Sequence, residues 1–173
     1  KFIFKAKKKL TNQIFCFDFL HFGDYLKAIL FSLFFKKDKI KNIFFDKFRV
    51  DELIKNFVVQ NRNNRSTIIS ILNYFFFKRL NQNKIRINLI IDWYENQIID
   101  KGFVLGAKKF YNKIKCKGHM GFVTDFETSF RLKPTILEQK LGLVPDEILV
   151  CGPKIKETIT KNNRSLKIKL VPA

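Results

Sequence analysis

Residues 87–122 read INLIIDWYENQIIDKGFVLGAKKFYNKIKCKGHMGF. The apolar run 88–91 has the composition of a buried strand and stops at the polar cluster Asp92-Trp93-Tyr94-Glu95-Asn96-Gln97. A helical pattern then runs to about Phe110, and a second short strand ends in Gly118-His119-Met120-Gly121. Strand, acidic turn, helix, strand and glycine turn make a βαβ unit with polar residues at the carboxyl ends of its strands. In open α/β sheets ligands bind along that edge, so the stretch predicts a fold class and the place of a site together.

Downstream, Pro134, Gly142, Pro145 and Gly152 punctuate the chain. Pro145-Asp146 turns into an apolar strand over 147–150, which ends at Cys151-Gly152-Pro153; a short helix over 154–161 and a final strand over 166–171 follow. Upstream, residues 51–60 open with Asp51-Glu52, whose charges favour a helix start through the macrodipole. Residues 61–64 break that helix, Ser66 or Thr67 caps the next one, which runs to about Leu80, and residues 81–83 loop into the strand. With no internal repeat, strands alternating with helices predict an α/β fold: a Rossmann-like parallel sheet flanked by helices.

Between residues 11 and 35, Phe15, Phe19, Phe22, Leu26, Ile29 and Leu33 recur at three- and four-residue steps, which predicts one helix with a strong apolar face. Asp18, His21, Asp24 and Lys27 interrupt the run. A charge at mid-bilayer costs about 2.5–3.5 kcal/mol, so the expected place for this helix is against the sheet, with a membrane surface as the second choice. Residues 1–9 read as an apolar-basic segment and 36–41 as a basic connector.

A chain of 173 residues is one domain, or one domain with a fragment of a second. The expected organisation is a single Rossmann-like domain over 1–173, helix-rich and Phe/Lys-rich over 1–86, with the βαβ part over 87–173. Because it starts at Lys1 and stops just after a strand, it is expected to be an excerpt of a longer protein. The net charge of +19 would ordinarily indicate nucleic acid or an anionic membrane. Here Lys far outnumbers Arg, the better reader of phosphates and bases, and no nucleic-acid-binding motif is present, so no specific nucleic-acid partner is expected. Cys16, Cys116 and Cys151 are odd in number, widely spaced and set among apolar residues, as reduced, buried thiols of a cytosolic protein would be. Without a CxxC pair or an HExxH helix, no metal site is expected.

Several residues could carry chemistry. Glu95, with Asp92 nearby, could take a proton from an attacking hydroxyl at a cleft mouth; alternatively it charges the first turn of the following helix. Asn96 and Gln97 supply neutral amides suited to sugar hydroxyls. Trp93 and Tyr94 stack on a ligand or simply pack. His119 could act as a base or donor, or face solvent in an ordinary turn, while Gly118 and Gly121 would let backbone N–H groups approach a ligand. Gly152-Pro153 opens a helix but lacks the glycine pattern of a phosphate loop or dinucleotide fingerprint, and no serine-nucleophile elbow is present.

The ordered series DWYENQIIDKGFVLGAKKF, KGHMGF, KPTILEQKLGLVPDEILVCG and LVPA resembles a family of bacterial surface-carbohydrate biosynthesis proteins, B-type glycosyltransferases associated with O-antigen or capsule assembly. The resemblance covers residues 88–173. It marks Glu95, Asn96, Gln97, Asp100 and Lys101, then Gly118, Gly121 and Phe122, then Pro134, Thr135, Glu138, Pro145 and Gly152. Where this chain has His119-Met120 the family pattern has Tyr-Gln, so His119 is not carried over as a family base. The resemblance implies the amino-terminal, acceptor-side half of a longer two-domain enzyme. That enzyme moves a sugar from a nucleotide-sugar, its co-substrate, to a lipid-linked or oligosaccharide acceptor, with no other cofactor. Glu95 and then His119 are the expected catalytic residues; Asp92, Asn96, Gln97, Gly118 and Gly121 are the expected substrate-binding ones. This half alone is expected to be inactive, and the implied location is cytoplasmic, peripheral at the inner face of an anionic membrane. A non-catalytic binding or scaffold module of an envelope-polysaccharide complex is the alternative.

Overall fold

The computed structural model describes residues 15–34, 41–61, 64–121 and 133–172. The readings of residues 1–9, of the connector up to residue 40 and of Phe122 lie outside them. A 3-10 turn at Cys16–Asp18 precedes helix α1 (Phe22–Leu33). A hairpin of β1 (Phe44–Phe45) and β2 (Phe48–Arg49) leads to α2 (Asp51–Asn61) and α3 (Arg65–Gln82). Then come β3 (Ile90–Trp93), α4 (Ile98–Phe110), β4 (Cys116–Met120), α5 (Ile136–Lys140), β5 (Glu147–Val150), α6 (Pro153–Asn162) and β6 (Ile168–Leu170).

Strands β3-β4-β5-β6 form one sheet in that order, parallel throughout. The fold is α/β, with a four-stranded parallel sheet and flanking helices of the Rossmann-like kind. Because successive side chains alternate between faces, each strand has an inner and an outer set. Ile90, Cys116, Gly118, Met120, Ile148 and Val150 are buried, whereas Ile91, Trp93, Lys117, His119, Glu147, Leu149 and Lys169 are half-buried or exposed. Two core clusters draw on the inner set alone. Ile90 and Cys116 pack with Phe77 and Leu80 of α3 and with Val104 and Ala107 of α4. Met120, Ile148 and Val150 pack with Tyr94, Val144 and Ile159 of α6. The run 88–91 is therefore not a strand buried on both sides: Leu89 and Ile91 are each more than half exposed, and the strand itself extends through Asp92 and Trp93.

The α3–α4 contact depends on a close approach. A Cβ on Gly102 would lie 1.7 Å from the Ser70 carbonyl oxygen, and the Gly102 amide donates to Ser70 Oγ at 2.9 Å. Asn64 rather than Ser66 or Thr67 caps α3, its Oδ1 accepting from the Ser66 amide at 3.1 Å.

Helix α1 departs from expectation in two ways. It begins at Phe22, and its apolar face does not pack on the sheet. Asp24, Ala28 and Ser32, spaced four apart, are the buried residues, while Phe22, Leu26, Ile29 and Leu33 are exposed. α1 lies against α3, where Arg79 donates to both Asp24 oxygens at 2.8 Å. Phe44, Phe45 and Phe48 of the hairpin are exposed as well. Among the described residues no helix is long and apolar enough to cross a membrane.

Candidate functional site at the carboxyl rim of the sheet

The chain leaves β3 through Trp93-Tyr94-Glu95-Asn96-Gln97, and α4 begins at once. Asp100, third in the helix, reaches back so that its Oδ2 accepts from the Glu95 and Gln97 amides, both at 2.9 Å. These are donors that a helix start would otherwise leave unpaired. Asn96 makes the reversal in the left-handed region, with φ of 58°. An Asn tolerates that conformation better than most residues.

This turn sends alternate side chains to opposite sides of the sheet. On the outer side, the Trp93 indole N–H donates to Glu95 Oε1 at 2.9 Å, and Gln97 Nε2 donates to Glu95 Oε2 at 2.6 Å. Trp93 lies opposite His119 in the strand register, and their ring centroids are 5.6 Å apart. A Cβ on Gly121 would lie 2.5 Å from the Trp93 ring and 3.0 Å from His119 Cε1, so glycine there makes room for the indole. Glu95, Gln97, His119 and Gly121 thus share one rim with Trp93, which is 59 % exposed, spread between them.

On the inner side, Tyr94 is fully buried and its hydroxyl donates to Asn96 Oδ1, which also accepts from Lys101 Nζ. Lys101 pairs with Glu138 at 2.8 Å, and the Glu138 carboxylate accepts from the Thr135 amide at 2.8 Å, completing the cap of α5. Burial works against the Glu138 carboxylate, but Lys101 and Thr135 outweigh it and hold its pKa below the ordinary value. Gly118 sits within β4, not in a turn. A Cβ there would lie 2.7 Å from Pro145 and 2.8 Å from Tyr94, so packing of the buried phenol, not approach of a ligand, accounts for this glycine. His119 likewise is a strand residue, bracketed by ladder contacts to Trp93 and Leu149.

Asp92 also points inward, and its Oδ2 is buried with no hydrogen-bond partner. Desolvation, with a smaller push from the nearby Asp100 charge, raises its pKa to about 7. Burial raises Asp100 too, against the pull of the Gln97 and Glu95 amides. The seven residues singled out from the sequence therefore divide: Glu95, Gln97, His119 and Gly121 meet on the outer rim, whereas Asp92, Asn96 and Gly118 belong to the packed side.

One rim residue escaped the sequence reading. Cys151, just past the end of β5, is half-buried rather than sealed in the core, and its Sγ lies 3.7 Å from His119 Nε2. Its position between a strand and the Gly152-Pro153 start of a helix is a signal the sequence carries. Cys16 is also half-buried; only Cys116 is deeply buried, its thiol pushed up to about 12 by desolvation. A shallow groove of about 440 Å³ runs along α6, lined by Pro153, Lys156, Glu157, Thr160, Lys161 and Arg164, and no residue of the rim takes part in it. Among the described residues no group of three or more His, Cys, Asp and Glu is placed to hold a metal ion.

Chemically, the rim offers a carboxylate held by two neutral donors, a broad aromatic face and an imidazole, all on one side of the sheet. No protein-family model matches the chain, and no curated protein or solved structure matches it either.

Proposed function

We propose that the outer rim binds a glycan and that the chain is part of a glycosyltransferase-like protein of cell-surface polysaccharide synthesis. The observation that carries this reading is the Trp93–Glu95–His119 group. An exposed indole face suits the apolar face of a sugar ring, and the adjoining carboxylate and Gln97 amide suit its hydroxyls. In the transfer step Glu95 accepts the proton of an acceptor hydroxyl as its oxygen bonds to the anomeric carbon, and the nucleotide diphosphate departs with the bonding pair. His119 orients the same acceptor. The basic, Phe-bearing amino-terminal part faces an anionic membrane on its cytoplasmic side, consistent with the exposed Phe22, Phe34, Phe44, Phe45 and Phe48 and with the net charge of +19.

The test is Glu95→Gln in a preparation that transfers sugar. Loss of a general base lowers turnover by about 10²–10⁴-fold while acceptor affinity stays near its original value. Unchanged turnover removes Glu95 as the base. A second reading, a binding module without catalysis, draws on the fact that both Glu95 oxygens already accept hydrogen bonds within the chain. It expects glycan binding without transfer in the unsubstituted protein.

A further inference from the structure

Beside His119 the rim holds a thiol, Cys151, that glycan binding does not use. Cys151 Sγ lies 3.7 Å from the Pro172 carbonyl oxygen, to which the thiol can donate, and 3.7 Å from His119 Nε2, which accepts from the thiol when the ring proton is on Nδ1. The two residues are 32 apart in sequence, and the β4–β5 pairing brings them together: His119 lies opposite Leu149, two residues before the cysteine. Cys151 stands one residue before Gly152, the N-cap of the ten-residue helix α6. Cys151 is half-buried, open enough for a small reagent, unlike Cys116 at 0 % exposure.

From this geometry we infer that Cys151 and His119 form a reactive thiol–imidazole pair, a covalent modification site for low-molecular-weight disulfides such as oxidised glutathione. With the His119 proton on Nδ1, Nε2 takes the thiol proton. The Cys151 thiolate attacks one sulfur of the disulfide: a new S–S bond forms, the original one breaks, and the leaving thiolate collects the proton from the imidazolium. Cys151 is oxidised and one glutathione sulfur is reduced, so no further oxidant enters. The adduct would stand at the Trp93–His119 ledge and cover it. Its formation stands apart from the glycan reading, because adduct mass is measured with no sugar present.

The experiment exposes the whole chain to oxidised glutathione at about pH 7 and follows each cysteine by peptide mass spectrometry. Cys151 acquires the adduct at least about tenfold faster than Cys16 or Cys116, and His119→Gln slows Cys151 about tenfold while leaving Cys16 unchanged. Cys151→Ser abolishes the fast adduct. Equal rates at Cys16 and Cys151, or an unaltered Cys151 rate in a folded His119→Gln variant, overturn the inference. If circular dichroism shows that His119→Gln does not fold, the ranking of the three thiols in the unsubstituted chain decides alone.

Discussion

Helices α1 and α4 start alike and end in opposite environments. Each carries an Asp third in the helix that accepts from the N-cap amide, Asp24 from His21 and Asp100 from Gln97, both at 2.9 Å. Each has a clear apolar face. In α4 that face meets the protein: Val104 and Ala107 join the core under β3 and β4. In α1 it meets solvent, and the stripe turned inward is Asp24, Ala28 and Ser32. The surface opposite each helix makes the difference. The sheet and the α3 backbone offer α4 an apolar bed and a groove at Gly102. α3 offers α1 the Arg79 guanidinium, which holds Asp24 by a two-pronged, charge-assisted bond. A periodic pattern establishes that a helix has faces; the partner decides which face is buried.

The largest expected effect is at the α3–α4 contact. Gly102→Val places a side chain where the Ser70 carbonyl already stands, and backbone cannot yield as a flexible side chain can. The expected loss in urea unfolding is about 3 kcal/mol or more. A Cβ added at Gly23 of α1 would meet nothing within 4 Å, so Gly23→Ala changes stability by no more than about 1 kcal/mol, in the favourable direction. Similar losses at the two glycines would erase the contrast between the helices.

Next is the ion pair that sets the rotation of α1. Arg79→Ala leaves the Asp24 carboxylate, 2 % exposed, without its partner, at a cost of about 2–3 kcal/mol near neutral pH. Its Arg79 hydrogen bonds hold the Asp24 pKa below the usual value. That contribution is therefore present above the unfolded-state value near 3.8 and is lost as pH falls through the lower folded value. Arg79→Ala should remove this acid-side loss from a plot of melting temperature against pH.

Asp92 has the opposite sign. Its folded-state pKa, about 7 against 3.8, means that ionisation favours the unfolded chain, so its contribution falls as pH rises from about 4 to 7 and then levels off. Asp92→Asn should flatten that stretch of the curve and leave the protein more stable than the original at pH above 7. An unchanged slope would place the carboxyl in water.

Smaller effects come from the faces themselves. Val104→Ala in α4 costs about 2 kcal/mol, whereas Phe22→Ser in α1 stays within about 0.5 kcal/mol. If the exposed face serves a membrane, Phe22→Ser with Phe34→Ser weakens sedimentation with acidic vesicles about tenfold at unchanged stability. Undiminished partitioning would withdraw the membrane from the account.

Much of the later half was legible because punctuation and period agree there. Pro145-Asp146 before an apolar run, and Gly152-Pro153 after it, bracket β5 and start α6; the apolar spacing after Gln97 marks α4. What escaped depended on partners distant in sequence. Nothing near Asp24 announces Arg79, 55 residues away. Asn96 looks like a ligand amide until its left-handed backbone turns it toward Tyr94 and Lys101. Gly118 resembles part of a ligand loop until the Tyr94 ring behind it is known. The hairpin at residues 44–49 carries Phe on both faces and so lacks the alternation that marks a strand.

The central claim is that Trp93, Glu95 and His119 act as one glycan-bearing ledge. Trp93 is the sole tryptophan, so its indole N–H gives a single resonance. Titrating the chain with bacterial surface oligosaccharides should shift that resonance and the His119 ring protons together, saturably, while amides of α6 stay in place. Shifts confined to the α6 groove, or an indole resonance unmoved at saturating glycan, would contradict the claim.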